Sequence, residues 1–261
     1  MDLGLTGQVA IVTGGASNIG REISMRLAAE GARVVIFDRD EDMAERTATE
    51  IRARGGDAST YAVDLTDAPA TQAAVDAVSA DVGPVAVLVN NVGWNGKAGF
   101  FLELPPERWE RAYQLNLYPT LNATRAVLPG MVERRAGAIV SIASDAGFGE
   151  LRMGDYGPMK AGVMAFARII AREYGRYGIR SNTVCPGLVI PAGDAIGAGS
   201  LWQADIGFAE KQISDIEHAT PLRRRPEAVD IANTVVWMAS EPARMLTGQL
   251  VSVSGGFNMP R

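Results

Sequence analysis

Tyr156 and Lys160 are the two side chains whose types and spacing point most directly to proton-transfer chemistry. They lie four residues apart, which puts both side chains on one face of an α-helix. A phenol is a poor base at pH 7, but a nearby ammonium group favours the phenolate. Pro158 lies between them and is tolerated only in a first helical turn, so Tyr156 is predicted at a helix start. The pair predicts a proton shuttle, although an isolated pair of this kind also occurs on ordinary helix surfaces.

A glycine turn near the start of the chain could hold an anion. Gly14, Gly15 and Gly20 follow a short apolar run and precede a helical pattern. Glycine lets the backbone approach a ligand, and a helix N-terminus offers free N–H groups to negative charge. The segment from Thr13 to Gly20 does not match G-x-G-x-x-G, and such a turn also serves packing alone. The turn nevertheless predicts a seat for a pyrophosphate.

Asp38 strengthens that interpretation. It ends the next apolar run, 18 residues after Gly20, close to the ~20 expected of a carboxylate that binds ribose hydroxyls. A carboxylate there repels a 2′-phosphate, which favours NAD over NADP as the cofactor. The adjacent Arg39 could receive such a phosphate, but it is also a normal solvated loop charge.

Seven apolar runs alternate with helical patterns along the chain. The runs predict strands at 9–13, 33–37, 58–63, 86–90, 138–143, 180–184 and 249–253. Helices are predicted at 19–30, 40–54, 68–82, 106–134, 155–177 and 226–239. Strands that are apolar on both faces indicate a doubly wound α/β fold, with a seven-stranded parallel sheet flanked by helices on both faces. Ligands of such sheets bind beyond the carboxyl ends of the strands.

Composition excludes several classes of function. The 261 residues carry 30 acidic and 25 basic side chains, a net charge of −5, which argues against a nucleic-acid partner. The single Cys185 and the single His218 cannot build a Cys/His metal cluster, and we expect no metal. Residues 1–7 lack a basic cluster, and no apolar stretch approaches the ~18 residues of a membrane span. We therefore expect a cytoplasmic protein with no membrane partner.

An ordered set of motifs is similar to the classical branch of the short-chain dehydrogenase/reductase family. In chain order the motifs are Thr13 to Gly20, Asp64-Leu65, Asn90-Asn91-Val92-Gly93, Asn116, Ser144, Tyr156 to Lys160, and Cys185-Pro186-Gly187. The resemblance covers nearly the whole chain. It implies one Rossmann-type domain over residues 1–261, a homotetramer, and an NAD(H)-dependent oxidoreductase that interconverts a secondary alcohol and a ketone.

The resemblance also implies roles for four catalytic residues. Tyr156 would be the general acid and base, and Ser144 would hydrogen-bond the substrate oxygen. Lys160 would hold the nicotinamide ribose and lower the pKa of Tyr156. Asn116 would maintain a helix kink and hold a water of the proton relay.

The cofactor would be held by residues at successive strand ends. These are Gly14, Ser17, Asn18, Ile19, Gly20, Asp38, Arg39, Asp64, Leu65, Asn91, Val92, Gly93, Tyr156, Lys160, Pro186, Gly187 and Val189.

Four positions depart from the family pattern. Asn18 replaces a glycine of the phosphate turn, but asparagine tolerates left-handed backbone well. Val92 replaces an alanine, and Pro191 stands where many relatives place a threonine near the nicotinamide amide. Ser144 precedes the tyrosine by 12 residues, one fewer than is commonest in the family, which leaves Ser141 as an alternative.

The substrate side is expected to be apolar. A lid is predicted at about residues 188–218 and includes Trp202, which packing alone would also explain. Trp94, Phe148 and Met153 are further candidates for the pocket wall. These residues predict an apolar alcohol that is cyclic or bulky.

Three alternative functions stay open. Scaffold segments loosely resemble dehydrogenases of hydroxycyclohexanecarboxyl-CoA, so the substrate could be a hydroxyacyl-CoA thioester. Its phosphates would then meet Lys97, Arg152 or the run Arg223-Arg224-Arg225. A nicotinamide-sensing module without turnover would need no proton shuttle. A sugar-nucleotide epimerase would need a larger carboxy-terminal region than the residues after Pro186 provide.

Overall fold

Seven parallel strands form one continuous sheet in the computed structural model, which describes residues 1–191 and 210–260. The strands are β1 (Val9–Thr13), β2 (Arg33–Asp38), β3 (Asp57–Ala62), β4 (Val85–Asn90), β5 (Gly137–Ile142), β6 (Ile179–Pro186) and β7 (Leu250–Val253). Their order across the sheet is β3-β2-β1-β4-β5-β6-β7. The chain therefore leaves β1 toward one edge and restarts at β4 toward the other. The predicted fold class is confirmed, and the topological switch point lies between β1 and β4.

Helices follow the strands and cover both faces of the sheet. They are α1 (Asn18–Ala29), α2 (Glu41–Ala53), α3 (Ala68–Asp81), α4 (Pro106–Asn116), α5 (Tyr118–Arg134), α6 (Tyr156–Tyr174), α7 (Glu210–Ala219) and α8 (Ala228–Ala239). Helices α1, α2 and α8 share one core with the sheet, and α3, α5 and α6 share the other.

Alternation along the strands builds these two cores. In β1, Ala10 and Val12 face the first core, whereas Val9 and Ile11 face the second. All five residues of this strand are buried, because both faces of a central parallel strand are covered by helices. The uninterrupted apolar runs of the sequence are the consequence.

The helix predicted at 106–134 is wrong as a single element. The chain forms α4 and α5 instead, which meet at Leu117. Pro119 lies in the first turn of α5, where it has no N–H to donate to the preceding turn, so the ladder of backbone hydrogen bonds is interrupted. Helix α6 also stops three residues early, and Gly175–Tyr177 continues it as a 3-10 turn.

The predicted lid is described only at its two ends. Residues 192–209, including Trp202, lie outside the described residues, and α7 follows them. Among the helices that the structure describes, none is long and apolar enough to cross a bilayer.

Candidate active site

A cavity of about 320 Å³ opens at the carboxyl ends of the strands, across the switch point. All 17 predicted cofactor residues line it, as do Ser144, Trp94 and Met153. This volume lies at the lower end of the range usual for small-molecule sites. The structure thus brings the candidates of both the cofactor and the substrate together around one space.

The glycine turn forms the floor of one end of the cavity. Gly14 has φ +61° and Asn18 has φ +44°, so both adopt the left-handed conformation. A Cβ on Gly20 would lie 1.9 Å from the carbonyl oxygen of Gly14, so only glycine fits there. Helix α1 begins at Asn18, and no side chain caps its first turn. The first N–H groups of α1 are therefore left for another acceptor.

Asp38 stands beside this turn at the end of β2. Its carboxylate accepts from the backbone N of Ala16 at 3.1 Å and of Asp40 at 3.1 Å. Burial raises the pKa of Asp38, and these backbone donors oppose that effect. The exposed Arg39 lies next to it at the cavity wall. The carboxylate is thus fixed by the backbone, and its two oxygens retain further acceptor capacity.

Hydrogen bonds join the loops that follow β1 and β4 at the switch point. The side-chain amide of Asn91 donates to the carbonyl oxygens of Thr13 at 3.1 Å and Gly14 at 3.0 Å. The hydroxyl of Thr13 donates to Val89 O at 3.2 Å and accepts from Asn91 N at 2.9 Å. Asn91 therefore ties the glycine turn to the loop that continues into Val92 and Gly93.

Ser144, Tyr156 and Lys160 converge on the cavity from two elements. Ser144 follows β5, and Tyr156 and Lys160 lie one turn apart at the start of α6. Lys160 Nζ lies 5.7 Å from the centre of the Tyr156 ring and donates to Ile142 O at 3.0 Å. A Cβ on Gly93 would lie 2.8 Å from Lys160 Nζ, so glycine makes room for the ammonium group.

Burial dominates the ionisation of this cluster. It raises the pKa of Tyr156 to about 12, against a lowering effect of the Ser144 hydroxyl and smaller raising effects of Cys185 and Glu150. Burial also lowers the pKa of Lys160 to about 8. Lys160 is not among the groups that shift this pKa in the chain alone, where desolvation of the phenolate is the largest effect. The Tyr156 phenol is therefore neutral at pH 7.

Asn116 is buried and lies behind the cavity wall. Its side chain accepts from Trp94 N at 2.8 Å and donates to Trp94 O at 2.9 Å and to Ala112 O at 2.9 Å. It ends α4, one residue before the break at Leu117. Its contacts therefore position Trp94.

Three further residues singled out in the sequence lie away from the cavity wall. Ser141 is buried, and its hydroxyl accepts from the side chain of Asn90 at 3.3 Å, so the structure favours Ser144 over Ser141. Phe148 is 39% exposed and does not reach the cavity. It lies in a short 3-10 helix, which turns its ring to the surface. Pro191 ends the first described range and also lies off the wall.

Sequence reasoning missed several residues of the wall. Asp145, Glu150, Leu115, Leu188, Ile216 and Phe257 all line the cavity. Glu150 lies in the loop between Ser144 and Tyr156, so its position between two candidates was an available signal. Leu188 and Ile216 lie within the predicted lid but were not singled out, whereas Phe257 comes from a distant segment with no chemical motif, and only the packing of the chain reveals it.

Comparison with known proteins agrees with this geometry. Residues 8–194 match the family described as short chain dehydrogenase. The chain is 34% identical to the (2S)-[(R)-hydroxy(phenyl)methyl]succinyl-CoA dehydrogenase subunit BbsD of Thauera aromatica, over 97% of this chain and 98% of the relative. It is 32% identical to the 7alpha-hydroxysteroid dehydrogenase of Escherichia coli K12, with coverage of 98% and 96%. It is also 32% identical to the 3-oxoacyl-[acyl-carrier-protein] reductase FabG of Staphylococcus aureus, with coverage of 96% and 98%.

Solved structures give the same result. The crystal structure of gox2181 superimposes with a TM-score of 0.90 at 32% identity and covers 98% of this chain and 97% of its own. A short chain dehydrogenase/reductase family oxidoreductase from Burkholderia thailandensis gives a TM-score of 0.83 at 32% identity, with coverage of 96% and 92%. The family match, the relatives and the shared architecture agree with the site, and the chain is an oxidoreductase that belongs to the short-chain dehydrogenase/reductase family.

Proposed function

We propose that this protein interconverts a secondary alcohol and a ketone with NAD(H). The observation that carries the proposal is the convergence of Ser144, Tyr156 and Lys160 on the cavity that also contains the glycine turn and Asp38. The two halves have complementary chemistry: one suits a dinucleotide, and the other suits proton transfer to an oxygen atom.

The residues at the switch point fit a nicotinamide dinucleotide. Gly14 and Gly20 line the cavity close to the uncapped start of α1, where backbone N–H groups would donate to a pyrophosphate. Asp38 would accept from the adenosine ribose, and its negative charge favours NAD over NADP. Asp64 and Leu65 would flank the adenine, and Lys160 would bind the nicotinamide ribose. When bound, the cofactor supplies the hydride acceptor or donor.

The protein's own side chains would handle the proton. In ketone reduction, the Tyr156 hydroxyl would donate its proton to the substrate oxygen, and Ser144 would hydrogen-bond that oxygen as negative charge develops. In alcohol oxidation, Tyr156 would accept the proton. Because burial raises its pKa to about 12, the chain by itself favours the donor form of Tyr156.

The cavity wall favours an apolar and bulky substrate. Trp94, Met153, Leu188, Ile216 and Phe257 are on the wall. The names of the relatives include a phenyl-bearing succinyl-CoA and a hydroxysteroid, which are consistent with a bulky group beside the reacting carbon.

A second candidate substrate is an acyl thioester. BbsD and FabG are named for a succinyl-CoA and for a 3-oxoacyl carrier protein respectively. Arg152 offers a cation one residue before Met153 of the wall, and its guanidinium lies 4.4 Å from the centre of the Phe100 ring. A panel of cyclic alcohols, aromatic alcohols and hydroxyacyl thioesters, each assayed with NAD and with NADP, separates these substrates and cofactors.

We also propose a homotetramer, with α6 and the carboxy-terminal segment at the interfaces. Ile169 on α6 is 50% exposed and Met259 is 73% exposed, so both segments present apolar surface. Light scattering with size-exclusion chromatography measures the mass. A monomer would contradict the proposal.

Replacement of Tyr156 by Phe tests the catalytic assignment. We expect Y156F to lower kcat for NADH formation by about 10³-fold or more, because the proton path is lost. The Kd of NAD, measured by calorimetry, should stay within about twofold, since the ring is retained. Unchanged turnover in Y156F would contradict the proposed mechanism, and a wild-type protein that binds NAD without turnover on the panel would favour the sensing module.

A further inference from the structure

Arg108 and Asp155 form an ion pair beside the proton-transfer site. Arg108 lies on α4, and Asp155 immediately precedes Tyr156. Arg108 Nη2 lies 2.6 Å from Asp155 Oδ2, and 23% and 3% of the two side chains are exposed. The two residues are 47 positions apart in the chain, so the pair is a tertiary contact.

Asp155 also contacts Tyr156 directly. Its second oxygen, Oδ1, accepts from the backbone N of Tyr156 at 3.0 Å and caps the first turn of α6. The main chain of the proton donor is therefore attached to a carboxylate whose other oxygen is held by Arg108. A displacement of Asp155 would displace the start of α6.

Arg108 also holds the loop of residues 94–97. Its Nη1 donates to Lys97 O at 2.8 Å, and its guanidinium carbon lies 5.8 Å from the centre of the Trp94 ring. A Cβ on Gly96 would lie 2.5 Å from Arg108 Nη2, so the loop packs closely against the guanidinium. Trp94 and Asn95 of this loop line the cavity. One side chain thus contacts both the substrate wall and the residue that caps Tyr156.

The ion pair of Arg108 and Asp155 is expected to add little to the stability of the fold. The facing atoms Arg108 Nη2 and Asp155 Oδ2 are buried, and their angles do not suit a hydrogen bond. Arg108 Nε is also buried without a partner among the described residues. Buried ion pairs of this quality gain little over apolar packing, because both charges lose their hydration.

We propose that Arg108 and Asp155 are positioning residues that fix Tyr156 relative to the Trp94 wall. The pair sets the distance between the Tyr156 hydroxyl and the substrate oxygen, so its loss lowers the rate of the chemical step. This inference rests on the proposed function for its kinetic consequence. Misplacement of a reacting group by about 1 Å can lower a rate by about 10²-fold.

The decisive variant is R108M/D155N. Methionine keeps much of the volume of Arg108, and asparagine keeps an oxygen that can cap Tyr156 N, so neither leaves a buried charge. We expect Tm within a few degrees of the wild type but kcat lower by about 10- to 100-fold. The primary deuterium isotope effect on kcat should rise, because hydride transfer becomes rate-limiting, while the Kd of NAD should stay within about twofold.

Single variants and a surface control complete the test. R108M and D155N each leave one buried charge unpaired, so both should lower Tm below that of the double variant. Arg125→Met removes an exposed arginine of α5 and should leave kcat and the isotope effect unchanged. A double variant with wild-type kcat and an unchanged isotope effect would overturn the positioning role.

Hydrogen exchange separates this inference from the proposed function. We expect R108M/D155N to exchange faster than the wild type in both residues 94–97 and residues 153–160. If the wild type turned over no alcohol on the panel, the proposed function would fail while this measurement still tested the pair. Unchanged exchange in both segments would overturn the inference.

Discussion

The two halves of the cavity are built in different ways. The cofactor half is formed largely by backbone: the turn at Gly14 and Gly20, the start of α1, and Asp38 held by backbone N–H groups. The substrate half is formed by side chains from the loop after β4, the loop after β5, α7 and the segment after β7. A backbone site allows little change of residue type, whereas a side-chain wall can change with the substrate. Substitutions should therefore have all-or-none effects in the first half and graded effects in the second.

The largest effect is expected at Gly20. Gly20→Ala places a Cβ 1.9 Å from Gly14 O, in a position where the backbone must move. We expect NAD binding to weaken by at least about 100-fold, since a misplaced turn loses several N–H contacts to the pyrophosphate. Calorimetry gives the Kd, and circular dichroism confirms that the protein is folded.

Gly175→Ala is the matched control for Gly20→Ala. Gly175 begins the turn after α6, has φ −55°, and has open space around its Cβ position. This variant should bind NAD as the wild type does. If Gly20→Ala also bound NAD normally, the cofactor half would tolerate side chains, and the contrast between the two halves would be lost.

An effect of intermediate size is expected at Lys160, where the two halves meet. Lys160→Met should lower kcat by about 100-fold or more, because the proposed contact with the ribose disappears. The same change should stabilise the fold at pH 7 by about 1–3 kcal/mol, since a buried ammonium is removed that has one hydrogen bond and no carboxylate partner among the described residues.

The pH dependence of this stabilisation has a definite sign. Burial lowers the pKa of Lys160 from 10.5 to about 8, so the unfolded chain binds more protons between these pH values. The free energy of unfolding of the wild type should therefore increase as pH rises from about 8 to 10.5, because the buried ammonium of Lys160 loses its charge. The stability advantage of Lys160→Met should shrink over that range. Urea unfolding of the wild type and of Lys160→Met at pH 7 and pH 10 measures this difference in the free energy of unfolding. An advantage that grew with pH would contradict this account.

The smallest effect is expected at Glu150, in the substrate half. The charge of Glu150 raises the pKa of Tyr156. Glu150→Gln should therefore lower that pKa slightly and move the rising limb of the pH profile for alcohol oxidation to lower pH. The profile of kcat/KM against pH measures the shift. Glu107→Gln, on the exposed side of α4, is the control and should leave the profile in place.

Local spacing predicted the parts of the site that lie within one element. Tyr156 and Lys160 share a helix face because they are four residues apart, and the glycine turn follows directly from its own sequence. The same reasoning joined α4 and α5 into one helix, because it took no account of Pro119, which interrupts the ladder of backbone hydrogen bonds. Phe148 was assigned to the wall by proximity in sequence, but its short 3-10 helix exposes it.

The sequence alone determined the parallel sheet, the family, and the residues at each strand end, because these depend on periodicities and spacings within short segments. Only the tertiary structure decided the ion pair of Arg108 and Asp155, the reach of Phe257 to the cavity, and the direction of the pKa shifts of Tyr156 and Lys160. These features depend on which distant segments meet and how much water they exclude. Burial and charge proximity are properties of the packed chain, so a linear pattern cannot specify them.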